Sequence, residues 1–253
     1  MFSEDLLVGL LRAERILVLT GAGMSAESGI ATFRDAQTGL WERYDPYVLA
    51  SPEGYESDKA LVWGWYEWRR MQVLNSKPHA GHFALAQLAD YVERLTLVTQ
   101  NVDDLHERAG SRSVIHLHGS LHHPRCFICA RSYEFPQGIP TLAVEGERIE
   151  PPRCEHCNGH IRPGVVWFNE YLPEVAWDQA QTAAMECDVI FSIGTSSLVW
   201  PAAKLPDMAV IRGAKVIQIN PDPTSLDSKA HYNFRGKAGE VLPALIQALS
   251  DFL

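Results

Sequence analysis

Apolar residues along the chain follow two rhythms. Leu6, Leu7, Leu10 and Leu11 recur at the spacing of one helix face, behind Ser3-Glu4-Asp5, which offers an N-cap and an acidic first turn. Residues 16–20 then form a short unbroken apolar run, the pattern of a strand covered on both faces of a parallel sheet. Similar runs occur at 95–101, 114–118, 165–168, 189–194 and 216–220, with helix-like segments at 82–92, 174–185 and 240–249. Strands alternating with helices predict βαβ units, hence an open α/β sheet that binds ligands at the carboxyl ends of its strands.

Two stretches break the alternation. Residues 36–78 carry no strand pattern but hold a helix around 59–74, and residues 122–162 combine short-strand character with Gly, Pro and Cys. Both read as insertions that together form a smaller module. The sheet domain then draws on 1–35, 79–121 and 163–253, with 36–78 a helical insertion and 122–162 a metal-binding one.

Charge and cysteine usage sharpen the picture. A net charge of −9, from 22 Lys and Arg against 31 Asp and Glu, argues against a dedicated nucleic-acid surface. The longest uncharged stretch, 189–203, contains Gly194, Thr195, Ser196, Ser197 and Pro201. It falls short of the roughly 20 apolar residues that span a bilayer. Glu4 and Asp5 stand where a secretory signal is basic, so the expectation is a cytoplasmic protein with no membrane contact. Four of the five cysteines form two C-x-x-C pairs, Cys126 with Cys129 and Cys154 with Cys157. Such knuckles supply four thiolates for Zn²⁺ and leave no open position, which makes the metal structural; redox pairs or free thiols are the alternative. Cys187 reads as a small core residue.

The first strand runs directly into Gly21-Ala22-Gly23-Met24-Ser25-Ala26, a G-x-G-x-x-A turn. In that motif the first Gly makes the turn, the second lets a pyrophosphate approach the backbone, and the small last residue permits tight helix–strand packing. A second small-residue turn, Gly194-Thr195-Ser196-Ser197, offers further backbone N–H groups, and Asn220 ends a later strand where a polar side chain can meet a ribose. These features predict a dinucleotide. A dehydrogenase would need a second strand about 20 residues on, ending in an acid. Residues 36–47 hold Glu42 and Asp45 but no strand, so hydride transfer does not follow.

The run from Gly21 to Ile30, with Thr32-Phe33-Arg34 after it, closely resembles the sirtuins, the NAD-dependent protein lysine deacylases. The likeness continues through Thr99-Gln100-Asn101-Val102-Asp103, Leu105-His106, Ala109-Gly110, His118-Gly119-Ser120, Val165-Val166-Trp167-Phe168, Gly194-Thr195-Ser196 and Asn220. The blocks stand in family order over nearly the whole chain, and bacterial deacylases and their mitochondrial desuccinylase relatives are the most similar. The resemblance implies a Rossmann-like domain, a small zinc module, NAD between them, and acyl-lysine proteins as substrates. It implies a reaction in which the acyl oxygen displaces nicotinamide, giving nicotinamide, 2′-O-acyl-ADP-ribose and free lysine.

Carried onto this chain, the resemblance makes His118 the general base, a role suited to an imidazole that titrates near pH ~6.5. It makes Asn101 the second catalytic residue, beside Gln100 in the nicotinamide pocket, with Asp103 on the carboxamide. Around NAD it implies Gly21, Ala22, Gly23, Ser25, Ala26, Gly194, Thr195, Ser196, Asn220 and Ala238, with Phe33 and Arg34 on a covering loop. On the residues alone, His116 and His118 share a strand face as structural histidines do, and Asn101 and Asp103 also suit a strand-end cap and a first helical turn.

Tyr66 and Arg69 are i,i+3 on the helix expected around 59–74 and so share a face. A guanidinium binds a carboxylate bidentately and a phenol donates to the same group, although a solvated face over packed aromatics is the plain alternative. The resemblance makes them the pair that accepts succinyl- and malonyl-lysine, with Ala50 the small residue that leaves room and deacetylation a second activity. It also implies that Val166 and Phe168 pair with the substrate backbone as an added strand. Asn169 stands where the family has Gly, and Lys237 where it has Pro. No stable partner is predicted. The competing functions are a nicotinamide-dependent oxidoreductase, a protein mono-ADP-ribosyltransferase, and a non-catalytic zinc- and nucleotide-dependent peptide-binding module.

Overall fold

A computed structural model of the chain describes residues 2–31, 45–135 and 144–253. Helix α1 (Glu4–Arg12) is capped by the Ser3 hydroxyl, which accepts from the Leu6 N–H at 3.3 Å, and leads into β1 (Arg15–Thr20). A short α2 (Gly23–Ala26) follows, and beyond the undescribed residues come α3 (Pro46–Leu49), α4 (Pro52–Ser57) and α5 (Lys59–Asn75). The chain returns to the sheet through α6 (Ala80–Leu88), β2 (Arg94–Thr99), α7 (Leu105–Arg108) and β3 (Ile115–His116). A ribbon of β4 (Arg125–Cys126) and β5 (Ile161–Arg162) precedes α8 (Glu174–Glu186), β6 (Val189–Ile193), α9 (Leu205–Ile211), β7 (Lys215–Ile219), β8 (Tyr232–Phe234) and α10 (Ala238–Phe252).

Among the described residues the main sheet has six strands in the order β3-β2-β1-β6-β7-β8, and every pair is parallel. The chain builds one half outward from β1 and then the other from β6, so the order reverses between those two strands. That is the switch point where such sheets open a crevice. Thr20 lies level with Thr99 and Ile193, which brings the carboxyl ends of β1, β2 and β6 to one edge.

The unbroken apolar runs have the cause expected of them: both faces of the sheet are covered. Ile16 and Val18 pack with Leu6, Leu10, Leu85, Val241 and Leu245 from α1, α6 and α10, whereas Leu17 and Leu19 pack with Ala180, Ala184, Leu205 and Ala209 from α8 and α9. The helical insertion and the β4–β5 ribbon share a third core. Trp63 of α5 packs with Cys126, Cys154 and Ile161, while Tyr55, Trp65 and Tyr66 pack with Leu121 and Trp167. Gly64 is required between these contacts, because a Cβ there would stand 2.0 Å from the Glu147 carbonyl oxygen.

Three sequence expectations need correction. Residues 165–168 form no strand; Val165 makes a single antiparallel bridge with Gly119, and the segment then curls around Arg162. The helix expected at 82–92 starts at Ala80 and ends at Leu88. Strand β8 was not foreseen, since its three residues carry no apolar run. Among the described residues no helix is long and apolar enough to cross a membrane.

Candidate active site

The two small-residue turns interlock at the crevice. The Gly21 N–H donates to the Ile193 carbonyl at 3.0 Å and the Gly23 N–H to the Gly194 carbonyl at 2.8 Å. Gly194 sits at φ +59, and a Cβ on it would fall 2.4 Å from the Met24 nitrogen. The glycines are thus demanded first by each other's backbone, and the same bareness leaves a cradle for a phosphate. Ala26 corrects its expected role: it is exposed, and the buried residues of α2 are Met24 and Ser25.

Side chains from neighbouring strand ends tie the cradle together. Gln100 Nε2 donates to Thr195 Oγ1 at 3.2 Å, and Asn220 Nδ2 donates to the Thr195 carbonyl at 2.8 Å. Ala22 and Ser196 are half-buried beside them. Ala238 is buried as the first residue of α10, where the next N–H, of Gly239, donates to Glu27 Oε2 at 2.8 Å. Phe33 and Arg34 lie outside the described residues.

Below the cradle a directional chain of hydrogen bonds forms a buried polar floor. Asn101 Nδ2 donates to Ser25 Oγ at 2.9 Å, and Ser25 Oγ donates to Asp103 Oδ2 at 2.8 Å. Asp103 Oδ1 accepts from the Leu105 N–H at 3.1 Å, so the first-turn reading holds for one of its oxygens. Burial pushes the Asp103 carboxyl above its usual range, against the pull of the Leu105 and Ser25 bonds. Each carboxylate oxygen keeps one further lone pair, so Asp103 can still accept from a ligand amide. Beneath this floor, sequence reasoning missed a buried histidine group. His106 Nε2 lies 3.0 Å from Thr20 Oγ1, and the His82 ring centroid stands 5.0 Å from that of His106. Burial lowers His106 to about 4 and His82 to about 2, so both are neutral.

His118 is half-buried, with Nδ1 3.0 Å from the Gln100 carbonyl oxygen. A carbonyl only accepts, so Nδ1 carries the proton and Nε2 keeps its lone pair. Burial lowers the pKa of this imidazole and the Gln100 bond opposes it. His116 differs: Nε2 lies 2.6 Å from Glu107 and Nδ1 3.2 Å from the Asn101 carbonyl. Burial would lower its pKa, but the Glu107 carboxylate outweighs that and raises it. The His118 carbonyl accepts from the Val166 N–H at 2.8 Å, which joins the histidine to the 165–170 segment.

That segment also meets the helical insertion. The Phe168 N–H donates to the Ala50 carbonyl at 2.9 Å, and Asn169 Nδ2 donates to Tyr47 Oη at 2.9 Å. Asn169 takes the left-handed conformation, φ 65, that Gly would adopt most easily. Val166 and Phe168 face outward while Trp167 is buried, and the Trp167 indole N–H donates to Tyr66 Oη at 3.0 Å. Burial raises the Tyr66 hydroxyl to about 12. Arg69 is half-buried, its guanidinium carbon 5.1 Å from the centroid of the Trp65 ring. Burial lowers its pKa while Tyr66 and Asp103 oppose this, so the three groups share one electrostatic neighbourhood. No carboxylate among the described residues pairs with Arg69. Period-two alternation through 165–168 was the signal that would have marked Trp167 as the inward side chain.

The four paired cysteines meet away from this chemistry. Their Sγ atoms all lie within 4.8 Å of one another, with Cys126 to Cys157 at 3.4 Å and Cys129 to Cys154 at 3.7 Å, and none is in a disulfide. Thiolates around a tetrahedral Zn²⁺ with ~2.3 Å bonds stand about 3.8 Å apart, so the set fits that ion. The Cys129 N–H points at Cys126 Sγ at 3.5 Å, as it would toward a ligating thiolate.

Comparison with known proteins agrees with this geometry. The model of the Sir2 family matches residues 21–201. An NAD-dependent protein deacylase of Methylococcus capsulatus is 60% identical over 248 residues, 98% of this chain and 97% of its own. NAD-dependent protein deacylase 1 of Pseudomonas aeruginosa is 54% identical over 243 residues, 96% of each chain. The solved structure of a Sir2 homologue in complex with NAD superposes with a TM-score of 0.90 at 45% identity, covering 100% of this chain and 95% of the other. A Sir2 complex with a p53 peptide and NAD⁺ superposes at 0.84 with 30% identity, covering 99% and 100%.

Proposed function

The chain belongs to the Sir2 family, and on that premise we infer that it is an NAD-dependent protein lysine deacylase adapted to acyl groups that end in a carboxylate. Bound NAD supplies a ribose carbon that takes the acyl oxygen as nicotinamide departs. The chain's own contribution begins at the cradle of Gly21, Gly23 and Gly194, whose bare backbone suits a pyrophosphate. Asp103, with its remaining lone pairs, accepts from the nicotinamide carboxamide, and Ser25 and Asn101 keep that carboxylate in place. His118 takes the ribose hydroxyl proton on Nε2, a role supported by the Gln100 carbonyl that holds the proton on Nδ1. Asn101 shares that pocket as the second catalytic residue.

The substrate peptide lies along Val166 and Phe168. The N–H groups of Val166, Trp167 and Phe168 are already donated to His118, Glu170 and Ala50, so the peptide donates its own N–H groups to carbonyls of the segment. Zinc, when bound to the four thiolates, cross-links the ribbon behind this wall and takes no part in the reaction.

The observation that carries the acyl preference is Arg69. The guanidinium is half-buried against the Trp65 ring and has no carboxylate partner among the described residues, so its donor edge is left for a ligand. A succinyl or malonyl terminus supplies that partner, and the Tyr66 hydroxyl donates to the same group. The experiment is to incubate the enzyme with NAD and matched succinyl- and acetyl-lysine peptides, following nicotinamide and peptide mass. The expected result is release of nicotinamide with both and a higher kcat/KM for the succinyl peptide. No nicotinamide release refutes the deacylase, and a preference for the acetyl peptide refutes the carboxylate pocket.

A further inference from the structure

Tyr66 Oη accepts the Trp167 indole N–H at 3.0 Å in a buried contact and has no acceptor for its own proton among the described residues. A phenol has one proton and two lone pairs. With the indole filling a lone pair, the proton is left to donate elsewhere, and the bond polarises the O–H toward donation. Burial keeps the hydroxyl protonated, with its pKa near 12.

Trp167 is itself firmly held. Its ring lies 3.5 Å from the Arg162 guanidinium carbon and 5.3 Å from the Tyr55 ring, and its backbone N–H donates to Glu170 at 2.8 Å. Glu170 in turn is paired with Arg162. Trp167 also sits between Val166 and Phe168, with its side chain on the opposite face from theirs. One residue therefore links the peptide-binding segment to the helix that carries Tyr66 and Arg69.

We propose that Trp167 is a positioning residue for acyl specificity: its indole N–H holds the Tyr66 hydroxyl so that the phenolic proton points at the carboxylate of an acidic acyl-lysine. The proposal rests on the carboxylate pocket inferred above and adds the residue that orients it. Phe168 and Val166 read the peptide; Trp167 sets what the pocket beneath will accept.

The test removes the indole N–H, first with the ring shortened and then with the ring shape kept. Trp167→Phe keeps an aromatic ring, and incorporation of β-(3-benzothienyl)alanine at position 167 keeps the ring shape with sulfur in place of N–H. Steady-state kinetics with matched succinyl- and acetyl-lysine peptides read the effect, with Arg69→Met and Tyr66→Phe run in parallel. The expected result is an about tenfold higher KM for the succinyl peptide, with its kcat and the acetyl kcat/KM each changed less than about twofold. In a Tyr66→Phe background the benzothienyl replacement should cause no further loss. Equal loss of both activities, or full retention of both, in the benzothienyl enzyme overturns the proposal. If Arg69→Met loses succinyl activity selectively while the benzothienyl enzyme does not, the pocket stands and the role of Trp167 falls. If Arg69→Met affects both peptides equally, both readings fall.

Discussion

Among the described residues three arginines lie against aromatic rings, and the molecule treats their charge in two opposite ways. Arg162, 3.5 Å from the Trp167 ring, is bidentate to Glu170 and also donates to the Val165 and Pro163 carbonyls. Arg70, 3.7 Å from the Phe135 ring, is bidentate to Glu67 at 3.1 and 2.8 Å. Arg69, next to Arg70 on the same helix, has an aromatic face and no carboxylate among the described residues. Arg162 and Arg70 each meet a carboxylate of the protein bidentately, and the pair acts as a brace. Arg69 has no such brace among the described residues, and the proposed function assigns its partner to the substrate. Taking a guanidinium partly out of water is costly unless it is paired, so the missing partner is more informative than the arginine itself.

The largest effect is expected from removing a brace. Arg162→Met leaves Glu170 without its partner and frees the 165–170 segment, and should cost about 3 kcal/mol. Thermal unfolding should show a fall on the order of 10 °C, and both deacylations should be lost together. Retention of both activities at unchanged stability would show that Arg162 braces nothing.

Acid should weaken the satisfied interior next. His82 and His106 are held neutral in the folded chain at pKa values of about 2 and about 4, whereas the unfolded chain titrates them near 6.5. Below about pH 6.5 the unfolded state binds more protons, so stability is lost as pH falls, through about 4 for His106. Glu170 adds to this lower down. Burial raises its carboxyl pKa but the Arg162 fork outweighs that, so its contribution is lost as pH falls through its depressed value. The midpoint of thermal unfolding should therefore drop from about pH 7.5 to about pH 5. A flat profile would contradict the neutral histidine group.

The smallest expected effect is at Asn169. Asn169→Gly relieves a φ of 65 but removes the bond to Tyr47 that ties the 165–170 segment to the helical insertion. The peptide KM should rise about twofold for succinyl and acetyl peptides alike, the scale of one exposed hydrogen bond. An effect confined to one acyl group would place Asn169 in the acyl pocket instead.

How much of this was legible in the sequence follows from where the information lies. Strands β1, β6 and β7 could be read because burial on both faces writes a continuous apolar run, and the glycine turns because their spacing follows a strand directly. The zinc knuckles needed only the spacing of Cys126, Cys129, Cys154 and Cys157. Residues 165–168 misled, because an apolar run of that length fits a strand as well as a segment folded around Arg162. The exposure of Ala26 could not be foreseen either; the demand for bare backbone came from Gly194, more than 160 residues away. Above all, a sequence lists arginines without their partners. Arg69 and Arg70 are neighbours in the chain, and only the fold separates the paired from the unpaired.

Whether Arg69 receives the substrate's carboxylate is read from the ratio of kcat/KM for succinyl and acetyl peptides of one sequence, in Arg69→Met against the unaltered enzyme. The ratio should fall about 100-fold, carried by the succinyl peptide, with acetyl turnover and thermal stability nearly unchanged. An unchanged ratio, with both activities intact or both lost, would contradict that role for Arg69.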